Sequence, residues 1–296
     1  MGLDARGGIS AAQLVIYIPI LVLSAILVKR HGFKRQAGWI FLLILSLVRI
    51  VGSAAHIAAE LSSDPSTGLI ETFSILDNVG LSPLIMCTIG FLNTIGAAAF
   101  VNNKRVTTSL RLLGLLATIA MILTIVGAIN LGEAKTDSDV KSAENYRHIG
   151  GILYVVLFIL VTLAHGFFWS NKSVIMPHRR TLLVGVSAVL PLLFVRTLYS
   201  ILSDYSPVAI PGEPAPTGGL AKFSSTTGSW GVYLIMSPVC EILTVITYLV
   251  IGMTIPITQE YNAHAMGAVA DDSRSDQALN SNYDQSYHPS YAKSYN

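Results

Sequence analysis

The sequence contains little charge for its length. Aspartate, glutamate, lysine and arginine make up only 12% of its 296 residues, whereas hydrophobic residues make up 52%. A soluble globular domain carries about a quarter charged residues, so the composition argues against an ordinary water-soluble protein. The formal net charge is +2 and no block of lysine and arginine is present. Nucleic acid is therefore not expected as a partner.

The sequence also lacks the motifs of several catalytic classes. Its two cysteines, Cys87 and Cys240, lie in apolar runs without metal-binding spacing, and we interpret them as packing residues. There is no glycine-rich phosphate loop, no nucleophile elbow and no lysine in the last apolar segment that could hold retinal. His56 and Glu60 stand one helical turn apart, but too few further ligands are expected at their depth to form a metal site. We expect neither an enzyme nor a cofactor.

What the sequence has instead is a series of seven long apolar segments. Each is close to the about 20 residues that a helix needs to cross a bilayer core. The segments cover residues 10–28, 37–61, 71–101, 110–130, 149–170, 181–203 and 230–256. The predicted fold is an all-α, seven-transmembrane helix bundle over residues 10–256, with a short external N-terminus (1–9) and a disordered cytosolic tail (257–296).

Basic residues are distributed unevenly over the linkers. Those after the first, third and fifth segments carry Lys29, Arg30, Lys34, Arg35, Lys104, Arg105, Lys172, Arg179 and Arg180. Because basic linkers stay in the cytosol, the N-terminus is predicted outside and the C-terminus inside. The sequon at Asn171 would then be cytosolic and unmodified. Plasma membrane and endomembrane fit equally well.

The tail repeats tyrosine every four residues from Tyr283 to Tyr295. Its polar, biased composition is typical of a disordered segment. The alternative is a regulatory segment modified on serine or tyrosine, and a cytosolic partner could bind this tail.

Two parts of the sequence resemble each other. Residues 47–53 and 194–200 share the pattern apolar-Val-Arg-x-x-x-Ser, and residues 82–83 and 237–238 are both Ser-Pro. A weaker echo is the pair Tyr17 and Tyr154. The pattern predicts a 3+1+3 arrangement in which spans one to three and five to seven form a parallel repeat.

Several polar residues lie inside the predicted spans, where each charge costs about 3 kcal/mol. Their helical spacing predicts a shared polar interior that contains Arg49, Ser53, His56, Glu60, Asp77, Arg196, Ser200 and Glu241. Their depths favour pairing Arg49 with Glu241 and Arg196 with Asp77, with the crossed pairing as the alternative. The prolines expected to kink helices are Pro83, Pro191 and Pro238. The charges either fix the helices in register or line a substrate path.

Three short segments carry a resemblance to a known family. They are Leu-Val-Ile-Tyr-Ile-Pro at 14–19, Ser-Leu-Val-Arg at 46–49, and Val-Arg-x-x-Tyr at 195–199. Over roughly residues 10–256 the chain resembles fungal seven-helix integral membrane proteins grouped as a domain of unknown function. In architecture it is distantly similar to fungal lipid-translocating exporters of the aminocholesterol-resistance type. The first resemblance implies a fold and a membrane location and no mechanism.

The expected function is that of a transporter for a lipid-like or amphipathic molecule, with the lipid bilayer as the surrounding partner. One alternative is a seven-helix receptor or sensor that signals through its cytosolic loops. The other is a structural membrane protein whose charges only hold the bundle together.

Overall fold

A computed structural model of the chain describes residues 3–31, 38–62, 67–100, 103–134, 136–207, 219–224 and 227–254. The regular structure in these ranges is helical, without strands. Its α-helices are α1 (Ala5–His31), α2 (Trp39–Leu61), α3 (Thr67–Val79), α4 (Leu81–Ala99), α5 (Lys104–Glu133), α6 (Asp137–Ser170), α7 (Pro177–Asp204), α8 (Trp230–Leu234) and α9 (Cys240–Thr254). The predicted tail, residues 257–296, lies outside the described residues.

Seven helical segments of the described chain are long and apolar enough to cross a membrane. They are Ala5–Arg30, Trp39–Leu61, Ile75–Gly96, Lys104–Glu133, Ser138–Ser170, Arg179–Asp204 and Trp230–Thr254, here called spans one to seven. The predicted seven-helix bundle is confirmed, and the chain is a multi-pass membrane protein. We call the side at which α1, α4 and α6 end the basic end, because the basic linkers follow those helices.

Span five begins 11 residues earlier than the sequence predicted. Thr136 caps α6, since its side chain accepts the N–H of Asp139 while the Asp139 carboxylate accepts the N–H of Thr136. This capping box fixes the start of the helix independently of hydropathy. The 34 residues of α6 extend about 50 Å, so its charged first turns extend beyond an about 30 Å hydrocarbon core.

Span three is the central helix of the bundle. Of its most apolar stretch 88% is buried, against 28–44% in the other six spans. It is not continuous, because α3 ends at Val79, Gly80 forms a turn and α4 begins at Leu81. Pro83 therefore lies in the first turn of a new helix, a position where proline breaks no internal hydrogen bond. The irregular turn at Gly80 precedes Pro83, so it is not the kink that was predicted at this proline.

Span seven is also irregular. Between α8 and α9, residues Ile235–Val239 form a π-helical turn that contains Pro238. Pro191 lies inside the continuous helix α7, and so does Pro19 inside α1, a proline absent from the predicted kinks. Spans three and seven, which the predicted repeat makes equivalent, thus each carry an irregular turn beside their Ser-Pro pair.

Small residues bring the helices close together. A Cβ on Gly150 of α6 would approach the Ala120 carbonyl of α5 to 3.4 Å, and one on Gly52 of α2 would approach Leu76 of α3 to 3.2 Å. Lipid supplies no hydrophobic force between helices, so close van der Waals packing at such residues stabilises the bundle.

Candidate functional site: a buried network of charges

Arg49, near the middle of span two, is the hub of a buried polar network. Its Nε and Nη2 atoms donate to the two carboxylate oxygens of Glu241, each at 2.5 Å. The hydroxyl of Tyr17 donates to Glu241 Oε1 at 2.7 Å. The pairing of Arg49 with Glu241, proposed from their depths, is thus present as a two-pronged, charge-assisted interaction.

The carboxylate of Asp77 does not pair with Arg196, as the favoured pairing had it. Asp77 Oδ1 accepts Nη1 of Arg49 at 2.7 Å and the hydroxyl of Tyr233 at 2.9 Å. Arg196 instead donates to the main-chain carbonyl of Asp77 at 3.3 Å, and its Nε lies 3.6 Å from Glu241 Oε2. The geometry therefore contains the crossed pairs that the sequence had left as the alternative.

We call Tyr17, Arg49, Asp77, Arg196, Tyr233 and Glu241 the central network. Every member is at most 4% exposed. Its two arginines and two carboxylates balance in charge. This pairing offsets the free-energy cost of removing the ionised groups from water only when all four partners are present. Five spans contribute to it, namely one, two, three, six and seven. The network consequently fixes the relative positions of most of the bundle.

The break in span three makes room for the hub. The position that a Cβ on Gly80 would occupy is taken by the guanidinium of Arg49. Glycine is thus required here for close approach rather than for an unusual backbone angle, since its φ of −56° is helical. Arg49 is held between the broken span and Glu241, with all three guanidinium nitrogens bonded.

Arg196, in contrast, is incompletely bonded. Its Nε has no hydrogen-bond partner in the part of the chain that the structure describes, although the residue is only 2% exposed. Other buried side-chain oxygens of the described chain without a partner include those of Ser82, Tyr199, Ser203 and Ser237. Buried polar atoms are usually satisfied, so these atoms provide hydrogen-bonding capacity for water or a polar ligand.

The other predicted interior residues lie near the network or towards the end opposite the basic end. Ser53 and Ser200 are buried, each one turn from an arginine of the network. His56 is hydrogen-bonded to Ser10 at 2.8 Å, and its Nε2 lies 3.4 Å from Glu60. His56 and Glu60 thus contact the start of α1 and have no hydrogen bond to the central network among the described residues.

Asp4 fixes that start of α1. Its Oδ1 accepts the main-chain N–H groups of Gly7 at 2.8 Å and Arg6 at 2.7 Å. These bonds, with Gly7 contributing most, hold the pKa of the Asp4 carboxyl below its usual range. Glu60 Oε2 accepts the N–H of Asp4 at 3.2 Å. The first helix is therefore attached to α2 at the end opposite the basic end.

A second, smaller ion pair lies between α6 and α7. Arg147 Nη2 lies 3.5 Å from Asp204 Oδ1, and His148 is hydrogen-bonded to the Asp204 carbonyl at 3.0 Å. Arg147 and His148 precede the predicted start of span five at residue 149, so neither was counted among the charges inside the spans. Among the described residues no group of three or more histidine, cysteine or acidic side chains is arranged to hold a metal ion.

Sequence analysis missed three parts of the site: Tyr17, Tyr233 and Gly80. Tyrosines in apolar spans are common. Of the two tyrosines, only Tyr17 was noted from the sequence, through its similar position to Tyr154 in the predicted repeat. A close approach at Gly80 depends on where another helix places its side chain, and the sequence pattern carries no such signal.

Comparison with known proteins gives one result. A family model described as a domain of unknown function (DUF7702) matches residues 3–258. Searches of curated proteins and of solved structures found no significant match. The resemblance to a family of unknown function is confirmed, whereas neither a fungal source nor a similarity to lipid exporters is shown. The chain belongs to the DUF7702 family.

Proposed function

We propose that this member of the DUF7702 family is a membrane transporter that moves a lipid-like or amphipathic molecule along the polar interior of its bundle. The observation that carries the proposal is that two spans depart from regular α-helical structure beside the central network. Span three breaks at Gly80, next to Arg49, and the π-turn of span seven ends immediately before Cys240 and Glu241.

Interrupted helices around a midplane polar site are typical of secondary transporters. An irregular backbone is tolerated at that depth only where protein or a water-filled cavity surrounds it. Ionisable side chains within spans also favour a functional role, because their cost must be offset. A bundle selected only for stability would need neither feature.

The two arginines have different roles in this proposal. Arg49 holds both carboxylates and maintains the resting structure. Arg196 is the residue that meets the cargo, because its Nε is 3.6 Å from Glu241 Oε2 and has no hydrogen-bond partner in the described chain. Ser200 and Ser237 extend the polar surface beside it, and a polar or anionic cargo group would be bound there while its apolar part contacts the lipid-facing helices.

The proposal includes an orientation with the N-terminus outside and the C-terminus in the cytosol, where the tail is available to a partner. It includes no covalent chemistry and no cofactor.

Flux in proteoliposomes tests the proposal. Labelled lipids and amphipathic compounds are presented to vesicles with wild-type protein, with Glu241→Gln, with the charge-balanced double variant Arg196→Gln/Glu241→Gln, or with no protein. Tyr154→Phe is the matched control, because Tyr154 is a buried tyrosine outside the network. We expect flux with wild type and the control, and none with the charge variants after all have been shown to fold.

Two outcomes would contradict transport. If well-folded wild type moves no cargo, ligand-dependent changes at the basic-end loops become the next measurement, as the receptor alternative requires. If Glu241→Gln fails to fold and the folded double variant transports normally, the network is structural.

A further inference from the structure

A groove lies between α2, α4 and α5, on helices that are mostly outside the central network. Its volume is about 420 Å³, within the about 300–1,000 Å³ of small-molecule sites. Its apolar wall is formed by Phe41, Met86, Ile89, Leu110 and Leu115. Three polar residues line it as well, Asn93, Arg111 and Thr118.

The polar residues are arranged by depth. Arg111 lies seven residues after the start of α5 and Asn93 six before the end of α4, which places both about 10 Å from the basic end. Thr118 lies about 10 Å deeper, but its hydroxyl already donates to the Gly114 carbonyl at 2.9 Å. The groove thus has a cationic mouth near the membrane surface and an apolar interior.

The guanidinium of Arg111 has no counter-ion in the described part of the chain. The sequence contains no aspartate or glutamate between Asp77 and Glu133, so no acid on α4 or α5 can neutralise it at this end. Other arginines at the basic end donate to main-chain carbonyls, Arg30 to Met253 and Arg180 to Ile175. Arg111 is exposed and directed to the groove instead.

The groove opens towards lipid rather than towards the bundle interior. On the same helix Leu112 and Leu115 are 58% and 60% exposed, which identifies a face that contacts the bilayer. A molecule in the plane of the membrane can therefore enter sideways without passing through the bundle.

We propose that this groove binds one anionic glycerophospholipid from the leaflet at the basic end. Its phosphate accepts hydrogen bonds from Arg111, assisted by Asn93, and an acyl chain lies against Met86, Ile89 and Leu115. Arginine binds phosphate through charge-assisted, often two-pronged bonds, and basic pockets between spans at the cytoplasmic side are suited to anionic headgroups. A neutral amphiphile would leave the Arg111 charge unpaired.

This site is separate from the proposed transport path. Neither Arg111 nor any other residue of α5 belongs to the central network, so lipid binding here holds whether or not the chain transports a cargo.

The test counts lipids bound to the purified full-length protein. Native mass spectrometry measures retained dioleoyl phosphatidylserine against dioleoyl phosphatidylcholine, each titrated into the same detergent. Arg111→Gln removes the charge, and Arg111→Lys retains it. Arg105→Gln is the matched control, since Arg105 is an exposed arginine of the same helix that does not line the groove.

A second variant fills the groove. Gly114 lines the groove and a Cβ on it would meet no heavy atom within 4 Å, so the Gly114→Leu side chain can enter the cavity without a clash at its Cβ. Elution as a single symmetric peak in size-exclusion chromatography verifies folding of every variant.

We expect wild type to prefer phosphatidylserine and Arg111→Gln to lose about fivefold of that preference, as one surface cation contributes. Arg111→Lys should recover much of it, Arg105→Gln should retain all of it, and Gly114→Leu should bind neither lipid. If Arg105→Gln and Arg111→Gln lost the phosphatidylserine preference equally, the preference would come from general surface charge and not from this groove. Unchanged binding to Gly114→Leu, or no preference in wild type, would overturn the site.

Discussion

Neutralising Glu241 should destabilise the bundle, and removing Arg196 as well should partly restore it. Glu241 accepts two hydrogen bonds from Arg49 and one from Tyr17. In Glu241→Gln an amide N–H₂ would face guanidinium donors, and two buried arginines would share the Asp77 carboxylate. Breaking a buried ion pair by removing one partner costs about 3–5 kcal/mol.

The double variant Arg196→Gln/Glu241→Gln restores charge balance. It leaves the 2.7 Å pair of Arg49 and Asp77 intact, and it removes the arginine that makes the fewest bonds. Coupled sites typically interact by about 0.5–3 kcal/mol, so we expect the double variant to be more stable than Glu241→Gln by an amount in that range.

The assay is thermal melting in mild detergent, followed by fluorescence-detected size exclusion. Glu241→Gln should lower the apparent melting temperature by on the order of 10 °C, and the double variant should recover part of that loss. Glu133→Gln is the control, since Glu133 is an exposed carboxylate at the end of α5 and should change stability by less than about 0.5 kcal/mol. A double variant no more stable than Glu241→Gln would refute the account of a charge-balanced, coupled network.

Three further predictions use the same protein. Tyr17→Phe removes a hydrogen bond to a buried carboxylate and should cost about 1–2 kcal/mol in the melting assay; an equal loss from Tyr154→Phe, whose hydroxyl has no partner in the described chain, would contradict this. Gly80→Ala should cost about 1–3 kcal/mol by displacing the guanidinium packed on it, while Gly114→Ala should be neutral. Asn171 should show no mobility shift after glycosidase treatment, and a shift would reverse the predicted orientation.

Much of the fold could be predicted from the sequence, because apolar length is a direct physical requirement of the bilayer. The seven spans follow from that requirement alone. Their ends were less accurate where a different interaction sets them, as at Thr136, whose capping box starts α6 among charged residues. The break at Gly80 was missed, because the guanidinium packed against Gly80 comes from another helix and leaves no pattern in the local sequence.

The site was predicted in part for a similar reason. Charged residues are rare inside membrane spans, so the sequence alone is enough to select Arg49, Asp77, Arg196 and Glu241 as candidates. Helical depth places Arg49 beside Glu241, yet it assigns one partner to each arginine, whereas the Arg49 guanidinium bonds both carboxylates. Partners such as Tyr233 depend on the rotation of each helix, which hydropathy does not fix.

Under the predicted repeat, which stays a prediction, the two halves differ in the network. Aligning the Ser-Pro pair at 82–83 with that at 237–238 places Met86 where Glu241 stands. In the first half, the position equivalent to Glu241 therefore has no carboxylate. Tyr154, which the repeat pairs with Tyr17, has no hydrogen-bond partner in the described chain. Glu241, from the second half, is bonded to Arg49 and lies 3.6 Å from Arg196.

The central claim is that the polar interior opens to water during function, and thiol labelling tests it most directly. In a Cys87→Ala/Cys240→Ala background, Ser237→Cys would place a single thiol at a position with 0% exposure in this structure. The account predicts that a membrane-impermeant maleimide labels this thiol from each side of sealed vesicles. Complete protection from both sides, with full labelling after unfolding in detergent, would contradict a path through the network.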